Sequence, residues 1–399
     1  MQRYGMTIPF EQVPLAEQGD WIRELADLGY TDVWSSEANG ADGFTPLALA
    51  SVWAPNLRLG NAIIPAFTRG PACLAQCTAT LANAAPGRFV LGIGTSSNVI
   101  VESWNGIPFE EPYRQVQAMI RFLRRALSGE KVTEDFGRFS IRGFRLGLPA
   151  PDPAVPILVA ALREGMLRLA GREGDGAIIN WLSADDVATV APIVRSYGDD
   201  KEIVARIFVA PTTDRDVVMR FGKVAIAAYL NVPVYAEFHR WLGRGEQLEA
   251  MWSHWQAGDR AAALEAIPDS LVDELIVWGS PEACREHIAR YVANGVTTPA
   301  LALLPFGIDQ RQAIRDLAPR GAHSTRPAVD RPDGDRRAGH PARMRPRRAG
   351  PPGHLRGRRP TGHRGGTGAV VASGMSGETP GPPTRAPQLL GLRRHRSRR

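Results

Sequence analysis

Two polar residues, Glu37 and Asn39, follow the apolar run in "YTDVWSSEANG". A carboxyl group placed there could exchange a proton with a substrate or anchor one. It could equally cap a helix or close a loop salt bridge. A second stretch, "GRFVLGIGTSS" (87–97), runs from an apolar segment into Gly92, Gly94 and Thr95. Bare backbone at such a point serves either a tight turn or the close approach of a ring or phosphate. The neighbouring hydroxyls can hydrogen-bond whatever lies there. Further candidates stand where other apolar runs end: Ser35, Ala62 and Ile63 in "GNAIIP", Ala161, Arg163 and Gly165 in "ALREGM", and Asn180 and Trp181 in "IINWL". An aromatic at the last of these can be a site residue or a lid on the core.

What is missing narrows the chemistry. The first 319 residues hold only His239, His254 and His287, all in helix-patterned segments. A histidine metal site or a Ser-His-Asp triad is therefore not expected. Cys73 and Cys77 are spaced as neighbours on one helix face and lack companion ligands, so they read as packing residues. No metal is expected. A mouth of glycines, amides and apolar groups suits a flat conjugated cofactor that carries the hard chemistry itself.

The elements that must position these residues follow one rhythm: an apolar run, a loop, then a segment of helical period. Runs at 3–9, 30–36, 57–64, 88–94, 155–161, 176–182, 202–210 and 298–305 read as strands. Each leads to an amphipathic segment. Pro71 opens one helix, Gly29 closes another, and Ser183 caps a third. Continuous apolar strands alternating with helices indicate a parallel sheet. Eight such units predict an α/β fold, a (β/α)8 TIM barrel, with the chemistry at the C-terminal ends of the strands. The alternative, an open doubly wound sheet, lacks a glycine fingerprint after its first strand. Two insertions are expected: a hairpin excursion at 132–153 after strand four, and several helices at 214–295 between strands seven and eight. Trp252, Trp255 and Trp278 of the latter read as packing. Such helices form a cap or an oligomer surface, so a homodimer is among the expectations.

The net charge of +7 and pI near 9.7 mislead. Residues 320–399 carry about nineteen arginines against about four acids, which leaves residues 1–319 acidic by roughly eight charges. That last segment has no Lys, Ile, Phe, Tyr, Trp, Asn or Cys, and it holds five of the eight histidines. Its composition cannot bury enough apolar surface to order a chain. It also matches a GC-rich gene read out of frame. The expected organisation is one domain, 1–319, and a disordered Arg/Pro/Gly-rich tail, 320–399, that is a frameshift product or a true tail and not a nucleic-acid arm. No leader peptide and no membrane span are read, and three cysteines suit the cytoplasm.

"VWSSEANGADGFTPLALAS", "LRLGNAIIPAFTRGP", "GRFVLGIGTSSNVIVESWNGIPFEEPYRQV" and "AALREGMLRLAGREGDGAIINWLS" together resemble the bacterial luciferase-like monooxygenase superfamily. Within it they are most similar to the coenzyme F420-dependent oxidoreductases related to methylene-tetrahydromethanopterin reductase. The resemblance covers roughly residues 3–319. It implies a deazaflavin, with FMN as the alternative, lying across the strand mouths. It implies a non-proline cis peptide in a bulge of strand three, at Ala62 and Ile63, against the back of the ring. It places the cofactor phosphate at Arg163, Gly165 and Met166, although Arg163 and Glu164 stand where relatives often have Gly-Pro. It also places Asn180 and Trp181 beside the cofactor. The implied activity is hydride transfer between F420 and a small organic substrate, with Glu37 and Asn39 near the reacting carbon. An FMN-dependent monooxygenase and a silent flavin-binding protein are the alternatives.

Overall fold

Apolar runs with both faces buried can only pair edge to edge and be covered by helices, and these do so until the last meets the first. A computed structural model describes residues 2–319. The strands are β1 (Gly5–Thr7), β2 (Asp32–Ser35), β3 (Arg58–Asn61), β4 (Ile64–Pro65), β5 (Phe89–Gly94), β6 (Val132–Asp135), β7 (Ser140–Phe144), β8 (Ile157–Ala160), β9 (Gly176–Asn180), β10 (Glu202–Ala210), β11 (Val277–Trp278) and β12 (Thr298–Leu303). Parallel pairing runs β1, β2, β3, β5, β8, β9, β10, β12 and back to β1. Short β4 resumes the third stave beside β5 after a break at Ala62 and Ile63. The fold is the expected (β/α)8 barrel.

The interior below the mouth is filled by Trp34, Val90, Leu158, Ile178, Val204 and Ala300. Trp34 takes up so much of it that a Cβ at Gly60 would overlap the indole ring. The outer core packs the other strand faces against the helices.

Both insertions are present. β6 and β7 form the antiparallel hairpin. Between β10 and β12 lie helices Arg215–Leu230, Pro233–Trp241, Gly245–Gln256, Arg260–Glu265, Asp269–Leu275 and Pro281–Ala293. Most of these pack into a second cluster that includes Trp181 and Phe208. Trp252 is buried there and donates its indole N–H to the Leu230 carbonyl at 2.8 Å.

Two local expectations differ from the structure. Val277 and Trp278, read as part of the helical insertion, form β11 against the projecting end of β10. Ser183 does not cap the helix Val187–Arg195 directly. It exchanges hydrogen bonds with Asp186, the residue at that cap: the Ser183 hydroxyl donates to the carboxylate and accepts from the Asp186 N–H. No single helix among the described residues is long and apolar enough to cross a membrane. The basic tail lies outside the described residues.

Candidate active site

The C-terminal ends of the strands open into a cavity of about 1100 Å³. Of the residues singled out in the sequence, Glu37, Asn39, Ala62, Ile63, Thr95, Ala161, Arg163, Gly165, Met166, Asn180 and Trp181 line it. Ser35, Gly92 and Gly94 do not.

Ser35 is fully buried, donates to the Gly43 carbonyl at 2.6 Å and accepts from Asn61 Nδ2. It ties the loop after β2 to the end of β3. A Cβ at Gly92 would overlap the Asn61 carbonyl oxygen, so this glycine makes room for protein backbone. A Cβ at Gly94 would meet Ala160 Cβ at 2.7 Å and Ile63 Cδ1 at 3.1 Å. Contrary to the opening expectation, neither glycine opens its backbone to a ligand: Gly92 makes room for the chain's own third stave, and Gly94 for Ala160 of β8 and for Ile63. The peptide between Ala62 and Ile63 is cis. Ile8–Pro9 and Asp152–Pro153 are also cis, which the sequence reading did not anticipate.

Glu37 sits on the wall with its carboxylate already engaged. Arg69 donates to it twice, at 2.6 and 3.2 Å, and the Gly43 N–H donates at 2.9 Å. Arg69 also lies 5.1 Å over the Phe44 ring. This is the loop salt bridge weighed against the catalytic role. Asn39 stands exposed at the rim.

The helix Glu164–Glu173 begins at the wall with no side-chain cap on its first N–H groups. Glu164, also on the cavity wall, pairs with Arg168 at 2.6 Å. A Cβ at Gly165 would meet nothing within 4 Å. Arg163 stands 3.8 Å from Glu237, both half exposed. Uncapped N–H groups, open space and a nearby cation fit an anion such as a cofactor phosphate.

Asn180 and Trp181 form the wall above β9. Trp181 stacks on Phe208 at 4.1 Å and lies 4.8 Å from Tyr229. Its backbone is left-handed, at φ 52°. The Asn180 side chain accepts from the Trp181 N–H at 3.0 Å and donates to the Tyr235 hydroxyl at 3.2 Å. Burial pushes the Tyr235 phenol up to about 12, so it remains a neutral donor. Three polar atoms of wall residues are buried without a partner: Thr7 Oγ1, Trp181 Nε1 and Arg206 Nε. Such orphans fit a site completed by a polar ligand.

Arg206, Phe208, Tyr229 and Tyr235 escaped the sequence reading. The last two sit on insertion helices with no local signal. Arg206 left a trace: it is the lone charge inside the apolar run "IVARIFVA".

His239 supports the wall from behind. It is fully buried, and Nε2 lies 3.0 Å from the Trp181 carbonyl, which places the proton on Nε2. Burial, with Arg244 nearby, outweighs Asp186 and the Trp181 carbonyl and lowers its pKa to about 4. The unfolded chain binds a proton near pH 6.5 and the folded chain only near 4. Stability is therefore complete above 6.5 and declines as pH falls through that window, by about 3 kcal/mol in all. His239→Gln should flatten this slope between pH 6.5 and 4.5 in chemical denaturation. Equal slopes in parent and variant would count against it.

With this geometry in hand, a profile of the luciferase-like monooxygenase family matches residues 2–298. The chain belongs to that family. Among relatives, it is 26% identical over 340 residues to a Mycobacterium tuberculosis protein assigned as a coenzyme F420-dependent oxidoreductase, covering 76% of this chain and 94% of that one. It is 25% identical over 311 residues to 5,10-methylenetetrahydromethanopterin reductase of Archaeoglobus fulgidus, covering 74% and 91%. In fold, this luciferase-like barrel matches the coenzyme F420-dependent tetrahydromethanopterin reductase of Methanopyrus kandleri with a TM-score of 0.66, at 20% identity, over 79% of this chain and 97% of the other.

Proposed function

We propose that the chain is an F420-dependent oxidoreductase acting on a small organic substrate. The observation that carries this is the wall itself: the Ala62–Ile63 bulge, an uncapped helix start at Gly165 and buried polar orphans surround one aromatic-walled cavity. Relatives that cover most of the chain and bear F420-dependent names support it.

When bound, the deazaflavin supplies a ring carbon that gives or takes a hydride, so that the substrate is reduced as the cofactor is oxidised, or the reverse, with the remaining proton exchanged nearby. The chain's own residues do the rest. Gly165 and Met166 offer backbone N–H groups to the phosphate, and Arg163 adds charge. Ala62 and Ile63 back the ring position. Trp181 and Phe208 exclude water from one wall. Tyr235, oriented by Asn180, holds a hydroxyl proton inside the cavity. Glu37 positions the β2 loop through Arg69.

The test is titration of the full chain with F420 and with FMN, followed by fluorescence, on the parent and on Gly165→Asp. F420 should bind the parent more tightly. The open space at Gly165 admits the new side chain, and an acid at a helix start does not weaken the helix. Gly165→Asp should therefore keep its melting temperature and lose F420 affinity by at least about 30-fold, through like-charge repulsion. Tighter FMN binding with oxygen uptake, or an unchanged affinity in the variant, would overturn the assignment.

A further inference from the structure

The cavity contains a charge that no carboxylate among the described residues balances. Val204, Arg206 and Phe208 share the inward face of β10, Val204 in the barrel interior and the other two on the cavity. Arg206 pairs in register with Asn180 across the β9–β10 ladder. Its guanidinium lies 5.0 Å over the Phe208 ring, and Nε is buried without a hydrogen-bond partner. Among the described residues, no carboxylate comes within 4.0 Å of it. Arg206 is half-buried, and other arginines of that kind have protein partners: Arg58 pairs with Asp32 and Glu202, Arg244 with Asp186 and Glu274, and Arg88 and Arg195 donate to backbone carbonyls. Taking a cation out of water without a partner is costly, so an unpaired one on a cavity wall is a place for an anion.

The surroundings say which anion. Arg206 is a single, planar, bidentate donor, which suits a carboxylate of one charge. A phosphate dianion would call for a second cation. The other arginine on the wall, Arg163, stands at the helix start and faces Glu237. Beside Arg206 the wall is aromatic, with Trp181, Phe208 and Tyr229 in contact. Trp181 and Phe208 are buried against each other, and the half-buried Tyr229 ring beside them offers a flat apolar ligand a surface to pack on.

We infer that the substrate is a ring-bearing monocarboxylate, with its carboxylate on Arg206 and its ring against Tyr229 at the edge of the Trp181–Phe208 wall. This names the substrate class for the oxidoreductase proposed above and rests on that reading for the chemistry, though not for the binding.

Calorimetry on the full chain without cofactor tests it with three probes: 2-naphthoate, its methyl ester and 2-naphthyl phosphate. The naphthoate should bind at least about 30-fold more tightly than the ester and more tightly than the phosphate. Arg206→Gln should lose at least about 30-fold for the naphthoate while the ester stays within about threefold. Arg206→Lys, which keeps the charge, should recover part of that loss. The parent comparison of acid with ester decides the matter even if a variant fails to fold. Equal affinity for acid and ester, or preference for the phosphate, would overturn the inference. So would an Arg206→Gln chain that loses F420 affinity as strongly as naphthoate affinity, because Arg206 would then serve the cofactor. Naphthoate discrimination in a chain that binds neither F420 nor FMN would leave the carboxylate site standing and sink the cofactor reading.

Discussion

Gly92→Val yields a chain that fails to fold or melts at least about 10 °C below the parent. The added Cβ would overlap the Asn61 carbonyl oxygen and come within 2.9 Å of its carbon and 2.5 Å of Ile178 Cδ1. Two of these three atoms are backbone, so no rotamer change relieves the overlap. The third stave would have to move away from the fourth. Asn61 cannot yield freely, because its side chain donates to the Ser35 hydroxyl and to the Gly43 carbonyl at 3.1 and 2.6 Å. An ordinary overpacked side chain costs roughly 1–3 kcal/mol. A backbone overlap between adjacent staves exceeds that, and each kcal/mol moves the melting point of a barrel this size by roughly 2 °C. Gly94→Ala provides the contrast, since its new methyl would meet only side-chain atoms, of which the Ile63 chain can shift. Its loss should be clearly smaller. Thermal melts of both variants decide the point, and equal losses would mean that the stave contact is not what requires glycine at 92.

The same glycines show where sequence reading reaches its end. A strand closing in Gly-Ile-Gly signals that something approaches the backbone, and that much was legible in "FVLGIG". Whether the approaching group is a ligand or another strand leaves an identical trace. The staves were legible because each is apolar on both faces, which only a covered parallel sheet accommodates. β11 was not, since two residues inside a helix-rich stretch carry no period of their own. Glu37 was placed correctly at the mouth, but its partner Arg69 is 32 residues away and no local pattern joins them. Arg206 was visible as a lone charge. Reading it as inward-facing needed only the two-residue period that also puts Val204 and Phe208 inside. Tyr235 and His239 were out of reach, because their place behind Trp181 is set by how the insertion packs, not by neighbours in the chain.

Arg58→Met should cost about 3–5 kcal/mol and leave the mouth unaltered. At the N-terminal end of the barrel, Arg58 donates to Asp32 and, at 2.5 and 3.0 Å, to both oxygens of Glu202. The Asp32 side chain is wholly buried and that of Glu202 is 18% exposed. Thr298 adds a hydrogen bond to Glu202 at 2.6 Å. Removing the cation leaves Glu202 without an ion partner and Asp32 with only the longer ion contact to Arg3 at 3.5 Å, both with little access to water, and breaking a buried pair from one side carries that cost. At roughly 2 °C per kcal/mol the melting point falls by roughly 6–10 °C. The pH dependence should change as well. Burial alone would raise the Glu202 carboxyl, but Arg58 outweighs it and holds the group below its usual range. In the parent, the stability this contributes is present above the unfolded pKa of about 4.3 and is lost as pH falls through the lower folded value. In Arg58→Met burial is opposed only by the Thr298 hydrogen bond and the more distant Arg3, the folded value rises, and acid unfolding should begin at higher pH. Adding Asp32→Asn and Glu202→Gln to Arg58→Met removes the stranded charges and should restore at least half of the loss, because neutral groups at such a site cost far less than unpaired ions. A triple variant no more stable than the single one would mean that Arg58 acts by packing under Trp34, whose ring it overlies at 5.5 Å, and not by charge. F420 affinity of the folded single variant should stay within about threefold of the parent, since in a barrel of this type the floor governs stability and the strand mouths govern ligands.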